Sequence, residues 1–287
     1  MAQIEELDDV LWQQANGDVF AGDPSGGGAG KELGNLEVGS IVGTGDFDGD
    51  DSDDILQRQE DDVTVWLVED GALVQHIQPS APITFQVGGT GDFDGDNDDD
   101  IVWRHEEGHV TIWEMQDGDY VINHNQPEAG SFQVAGTGDF DSDGDDDILW
   151  HHPDGPVTIW EMQNGEYVIN HNQPDAGSFQ VAGTGDFDND GDDDILWRHP
   201  DGPVTIWEME DGQYVINHNQ PNVDPAFQVA GVHDFDDDGD DDILWSDSEG
   251  NVDIIVWHME DFQIAEEQTD SGPAAFQIVG TGEFDIA

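Results

Sequence analysis

Apolar and polar residues alternate along this chain over short runs of five to nine positions, which is the pattern of half-buried β-strands. The stretch from Phe132 shows the plan: FQVAGTGDF, an aspartate-rich loop, DILWHH, PVTIWEM, then EYVINHNQ. β-Branched and aromatic residues fill the runs, and turn signals separate them. Pro153, Asp154, Gly155 and Pro156 mark one turn, and Asn164-Gly165 predicts a hairpin between the last two strands. No stretch carries apolar residues at a 3.6-residue period, so no helix is predicted.

The plan repeats. The first aspartate of each loop stands at Asp46, Asp92, Asp139, Asp186 and Asp234, spaced by 46, 47, 47 and 48 residues. A sixth copy begins as GTGEF at Gly280, and its second half, DDVLW, lies at the other end as Asp8 to Trp12. The first unit has drifted, but DVLWQQ and GDVFAG flank Asn16-Gly17 as a hairpin, and LEVGSIVG follows the PSGGGAG loop. A period of 40–50 residues signals a propeller or solenoid. Six units of four antiparallel strands predict an all-β, six-bladed β-propeller forming a single domain over residues 1–287. FQIVGTGEF should pair beside DVLWQQ, so that the N- and C-terminal strands close the ring.

Composition sharpens this picture. The net charge is −65, from 69 acidic residues against Lys31, Arg58, Arg104 and Arg198. Such a charge is common in disordered chains, yet ten Trp and thirteen Phe in periodic positions argue for a packed core. Nucleic acid and anionic membranes both need a positive surface and are not expected as partners. Self-repulsion on this scale calls for screening, which points to a saline or calcium-rich exterior. There is no cysteine, no apolar run long enough to span a membrane, and no signal-peptide pattern in MAQIEELDD.

The loops hold 31 of the 69 acids. Positions one, three, five, seven and nine are Asp46, Asp48, Asp50, Ser52 and Asp54 in the first, and Asp92, Asp94, Asp96, Asp98 and Asp100 in the second. They are Asp139, Asp141, Asp143, Asp145 and Asp147 in the third, and Asp186, Asp188, Asp190, Asp192 and Asp194 in the fourth. The fifth has Asp234, Asp236, Asp238, Asp240 and Asp242. Alternate carboxylates of a tight loop converge on one point and suit Ca2+, which takes six to eight oxygens, with position seven offering its main-chain carbonyl. A helix-flanked calcium loop would need a bidentate Glu at position twelve, where the third loop has Trp150. Position six is glycine in three loops but Asp51 and Asn97 in the first two, which makes those two less regular. The sixth site is split between Glu283 and Asp285 at one end and Glu5, Leu7 and Asp9 at the other, and is expected to be the weakest.

DFDSDGDDDILW with its preceding GTG, and the IWEM strand after it, resembles the FG-GAP/VCBS repeats of bacterial surface proteins and of integrin α-subunit propellers. The resemblance covers essentially the whole chain. It implies a β-propeller with Ca2+ in the loop between the first two strands of a blade.

Two other repeated features have more than one reading. The tryptophan pairs, such as Trp150 with Trp160 and Trp197 with Trp207, either fill the wedge between blades or form sugar-stacking platforms. The NHNQ segments, with His124, His171 and His218, either make an exposed polar edge on the outermost strand or a multivalent surface. His151 and His152 form no recognisable triad, and no serine sits in a nucleophile elbow. The expectation is a non-catalytic, calcium-binding interaction or adhesion module, extracellular or at a cell surface, with a protein or glycan partner. The alternatives are a multivalent lectin and, further off, a polysaccharide-active enzyme.

Overall fold

A computed structural model describes residues 10–22, 30–36, 39–247, 253–271 and 276–284. Its strands form six sheets of four, each antiparallel throughout. Five blades run in chain order, and the sixth joins Phe276–Thr281 to Val10–Gln14, Asp18–Gly22 and Lys31–Asn35. The predicted closure is present: Trp12 stands opposite Ile278 and Gln14 opposite Phe276. Asp9 and Asp285, with Glu5 and Leu7, lie outside the described residues, so the split site is seen only through Glu283.

Glycines bring the innermost strands together around the axis. A Cβ on Gly136 or Gly89 would lie 2.7 Å from Cγ2 of Thr184 or Thr137 on the next blade. Similar contacts join Gly43 to Thr90, Gly183 to Val232, Gly231 to Thr281 and Gly280 to Thr44, completing the circle. The threonine hydroxyls donate onward around it. Thr184 donates to the carbonyl of Thr137, Thr137 to Thr90 and Thr90 to Thr44, each at 2.7 Å, and Thr44 to Thr281 at 3.2 Å. Val232 occupies the matching place in its blade and has no hydroxyl to offer.

Between blades the core is apolar. Trp103, Trp113 and Met115 of one blade pack with Phe47, Leu56 and Val65 of the blade before, and the same set recurs around Phe93, Trp150 and Trp160. The tryptophan rings of a pair lie 4.7–5.0 Å apart and are tilted or edge-on. All eight are buried, so the pairs fill the wedge, and burying an aromatic side chain of this size dominates core energetics.

The last strand of each blade is outermost, as expected. Its histidines are not its exposed edge, however. His124, His171 and His218 each place Nε2 2.7 Å from a glutamate of their own blade, Glu114, Glu161 and Glu208. His124 also reaches Glu166 of the next blade at 3.0 Å. The side chains facing solvent are Val121, Ile122, Val168, Ile169, Val215 and Ile216. Three arginines fasten the linkers. Arg58 donates to the carbonyls of Ala81 and Pro82, Arg104 to Gly130 and Arg198 to Asp224, at 2.9–3.2 Å.

The axial contacts leave no room for a methyl group. Gly136→Ala is expected to destabilise the protein by about 1–3 kcal/mol, the usual cost of overpacking. Urea unfolding measures this, and an unchanged midpoint would show that the ring relaxes freely.

Candidate metal centres

Each loop is built around its position-one carboxylate. In the first loop Asp46 Oδ1 accepts the main-chain N–H groups of Gly49 and Asp50 at 2.8 and 3.2 Å, and Oδ2 accepts that of Asp51 at 2.9 Å. Asp139 and Asp186 accept the same position-five and position-six amides in their loops. The carboxylate therefore winds the chain about itself. Position five then takes the position-seven amide, as Asp143 does from Asp145 at 3.1 Å.

This winding needs two left-handed residues per loop, at positions four and six. Position six has φ of 68° and 72° at Asp51 and Asn97, and 89–99° at Gly144, Gly191 and Gly239. Position four has φ of 68° and 71° at Gly49 and Gly95, and 53–56° at Ser142, Asn189 and Asp237. Every loop thus has one glycine for its two left-handed places, and the first two loops put it at position four. The irregularity at Asp51 and Asn97 is a relocation of glycine, and the loop conformation is preserved. Asp and Asn accept this conformation better than other side chains.

Position nine is the anchor. Asp54, Asp100, Asp147, Asp194 and Asp242 are at most 1% exposed. Their Oδ1 atoms accept the amide of a third-strand residue, Val68, Met115, Met162, Met209 or Met259, at 2.7–2.9 Å. Oδ2 takes the amide of Phe47, Phe187 or Phe235 in three loops at 3.1–3.2 Å. In Asp100 and Asp147, Oδ2 has no protein partner, nor has the buried Oδ1 of Asp48, Asp94, Asp141 and Asp188 at position three. Burial, opposed by the amide bonds and reinforced by neighbouring loop acids, pushes Asp54, Asp100, Asp147 and Asp194 up to about 9.

Positions one, three and five converge: one oxygen from each of Asp46, Asp48 and Asp50 lies within 4.8 Å of the others, as in the second and third loops. With the unpartnered oxygens beside them, this all-oxygen set fits a hard cation such as Ca2+. Position seven does not point its side chain inward. Asp98 and Asp145 abut Gly49 and Gly95 of the preceding loop, which leaves only their carbonyls for the site.

Sequence reasoning passed over position eight. Asp53, Asp99, Asp146, Asp193 and Asp241 cross to the previous loop. Asp99, Asp146 and Asp241 accept the position-one amides of Asp46, Asp92 and Asp186 at 3.0–3.1 Å. Their own amides donate to the carbonyls of those residues at 2.5–2.7 Å. Asp53 does the same to Glu283 across the seam, accepting its amide at 2.7 Å. Burial, with the neighbouring acids, pushes Asp53, Asp146 and Asp241 up to about 7.

Two serine–histidine contacts resemble catalytic geometry at first sight. His152 Nε2 lies 2.7 Å from Ser131 Oγ, and His199 Nε2 2.9 Å from Ser178 Oγ. In both, Nδ1 accepts a main-chain amide, from Asp154 or Asp201, at 3.1 Å. The proton of a neutral ring is then on Nε2 and is donated to the serine, the reverse of what a general base requires. The nearby carboxylates are 3.7 Å away and 89% exposed.

The left-handed backbone at Asp51 should reject a β-branched side chain. Asp51→Val is expected to cost about 1–3 kcal/mol, whereas Asp51→Gly should cost nothing measurable; equal effects would refute the conformational argument. The raised position-nine groups make a second prediction. An acid with a folded pKa near 9 and an unfolded value of 3.8 contributes stability below pH 4 that is lost as pH rises through 9. In chelator at fixed ionic strength, the melting temperature should fall between pH 5 and 9 (roughly the window between those two values). A flat profile would contradict it.

Residues 92–150 and 139–197 each match the FG-GAP-like repeat. No curated protein matches the sequence significantly. Among solved structures, the chain resembles part of the Photorhabdus luminescens Tc holotoxin pore, with 16% identity and a TM-score of 0.54 over 94% of this chain and 13% of that one. It thus spans only a small part of that toxin chain. It also resembles a chain of the nidogen/laminin complex, with 12% identity and a TM-score of 0.61 over 93% of this chain and 95% of that one. An Agrocybe aegerita lectin, described as recognising non-reducing terminal N-acetylglucosamine, has 14% identity and a TM-score of 0.61 over 97% and 91%. Likeness at these identities establishes the fold alone. The chain is a six-bladed β-propeller that carries FG-GAP-like repeats.

Proposed function

We propose that the protein is a calcium-stabilised, non-catalytic interaction module working outside the cell or at its surface, with a protein or glycan as its partner. The observation that supports it most is the set of buried loop oxygens without a protein partner, in Asp48, Asp94, Asp141, Asp188, Asp100 and Asp147. Carboxylates in such a setting need a cation, and a bound divalent ion removes both the desolvation penalty and the mutual repulsion. Each ion would fasten a loop and the two strands leaving it. Among the described residues no helix is long and apolar enough to cross a membrane.

A glycan partner has one specific observation in its favour. A groove of about 210 Å3 is lined by Phe85, Trp103, Trp113, Thr111, Asn123 and Asn125. The half-buried Phe85 ring beside the Asn123 and Asn125 amides suits a sugar ring and its hydroxyls. The nidogen/laminin and lectin structures show the same fold in proteins described with protein and sugar ligands.

Millimolar Ca2+ at fixed ionic strength is expected to raise the melting temperature well above its value in chelator, because the ion binds the native loops selectively. Equal midpoints would remove the calcium reading. A glycan array probed with and without Ca2+ then separates the partners. Calcium-dependent sugar binding supports the lectin form, and an unreactive array supports a protein partner.

A further inference from the structure

The blade of Phe227–Ser271 departs from its neighbours at one pair of positions. In the three preceding blades the third strand carries Glu114, Glu161 and Glu208, each held by a histidine of the outermost strand. In the blade of Asp253–Glu260 these roles are exchanged: His258 stands in the glutamate's place and Gln268 in the histidine's. The third-strand side chain then turns into the loop. His258 Nδ1 lies 2.8 Å from Asp242 Oδ2 and 3.4 Å from Asp236 Oδ2, and the three donors form one cluster. Gln268 also hydrogen-bonds the imidazole. With Asp242 on Nδ1, the nitrogen left for Gln268 is Nε2.

We propose that the Asp234–Asp242 loop is a mixed nitrogen–oxygen site for a borderline transition-metal ion such as Zn2+, ligated by His258 Nδ1, Asp236 and Asp242. Imidazole nitrogen suits zinc and its neighbours, whereas Ca2+ selects oxygen. Ligands at about 2.0–2.2 Å in a tetrahedron stand about 3.4 Å apart. The Asp236 distance already meets that spacing, and Asp242 has to open by roughly half an ångström. Gln268 is a positioning residue: a ligating histidine usually gives its other N–H to a fixed acceptor, which sets the tautomer and ring direction. Position three makes the same distinction, because Asp48, Asp94, Asp141 and Asp188 have a buried oxygen without a partner while Asp236 has the imidazole beside it.

The proposal rests on the reading of these loops as cation sites, and its test keeps the two apart. The full chain in millimolar Ca2+ is titrated calorimetrically with Zn2+. About one equivalent should bind despite the excess Ca2+. Gln268→Ala should weaken it by about 10–100-fold, and His258→Ala or His258→Glu should abolish it, with folding checked by the melting temperature. His109→Ala, which disrupts the separate His105, Glu107 and His109 cluster, should leave it unchanged. Zn2+ uptake that survives in both His258 variants, or none in the parent protein, overturns the proposal; in the latter case the imidazolium itself takes the ion's place. If Ca2+ fails to stabilise the protein but His258-dependent Zn2+ binding persists, the calcium reading falls and this one stands.

Discussion

In each of the five described loops a carboxylate is taken out of water at the point where the loop enters the second strand. Moving a carboxylate into a protein interior costs several kcal/mol even after relaxation, unless hydrogen bonds and countercharge offset it. Asp54, Asp100, Asp147, Asp194 and Asp242 each recover part of that cost from a third-strand amide. This bond also fixes where the third strand lies relative to the loop. The remaining cost falls on Oδ2, which in Asp100 and Asp147 faces the loop alone. The loop and the strand register thus depend on the same buried group.

The position-eight carboxylates carry the constraint from one blade to the next. Asp146 is latched to the amide and carbonyl of Asp92, so the loop of one blade is completed by the next. The seam obeys the same rule, with Asp53 latched to Glu283. A sheet closed on itself leaves no end blade to fray. The axial glycine–threonine circle and the tryptophan wedges set how closely the blades approach, while the latches tie each loop to the next blade.

The architecture was legible because its signal is periodic. Strands, blade number and terminal pairing all follow from the repeated GTG-D-F-D and DILW segments. The convergence of positions one, three and five was legible because alternation itself has a geometric meaning. Position eight was hidden by its neighbours: in a run such as Asp145-Asp146-Asp147 nothing local separates a side chain facing the loop from one facing another blade. The relocation of glycine from position six to position four was visible in DFDGD against DFDSDG, but its meaning required the two left-handed φ values. His124 read as an exposed polar residue because its partner Glu114 lies on another strand, at a diagonal that only the register supplies.

The arginines are placed away from the loop acids. Arg58, Arg104 and Arg198 are committed to main-chain carbonyls of the linkers, and Arg58 and Arg198 also lie over Trp103 and Trp245 at 5.2 and 5.7 Å. Guanidinium suits this role because it offers several donors and stacks on aromatic faces. None of this brings positive charge into the loops. Diffuse salt can screen the outer acids, whose repulsion decays over a Debye length of about 8 Å at physiological ionic strength. It cannot screen Asp100 or Asp147, because screening requires mobile ions around the charge and these groups are enclosed by protein. Ionic strength therefore acts on the outer acids and does not reach the enclosed ones.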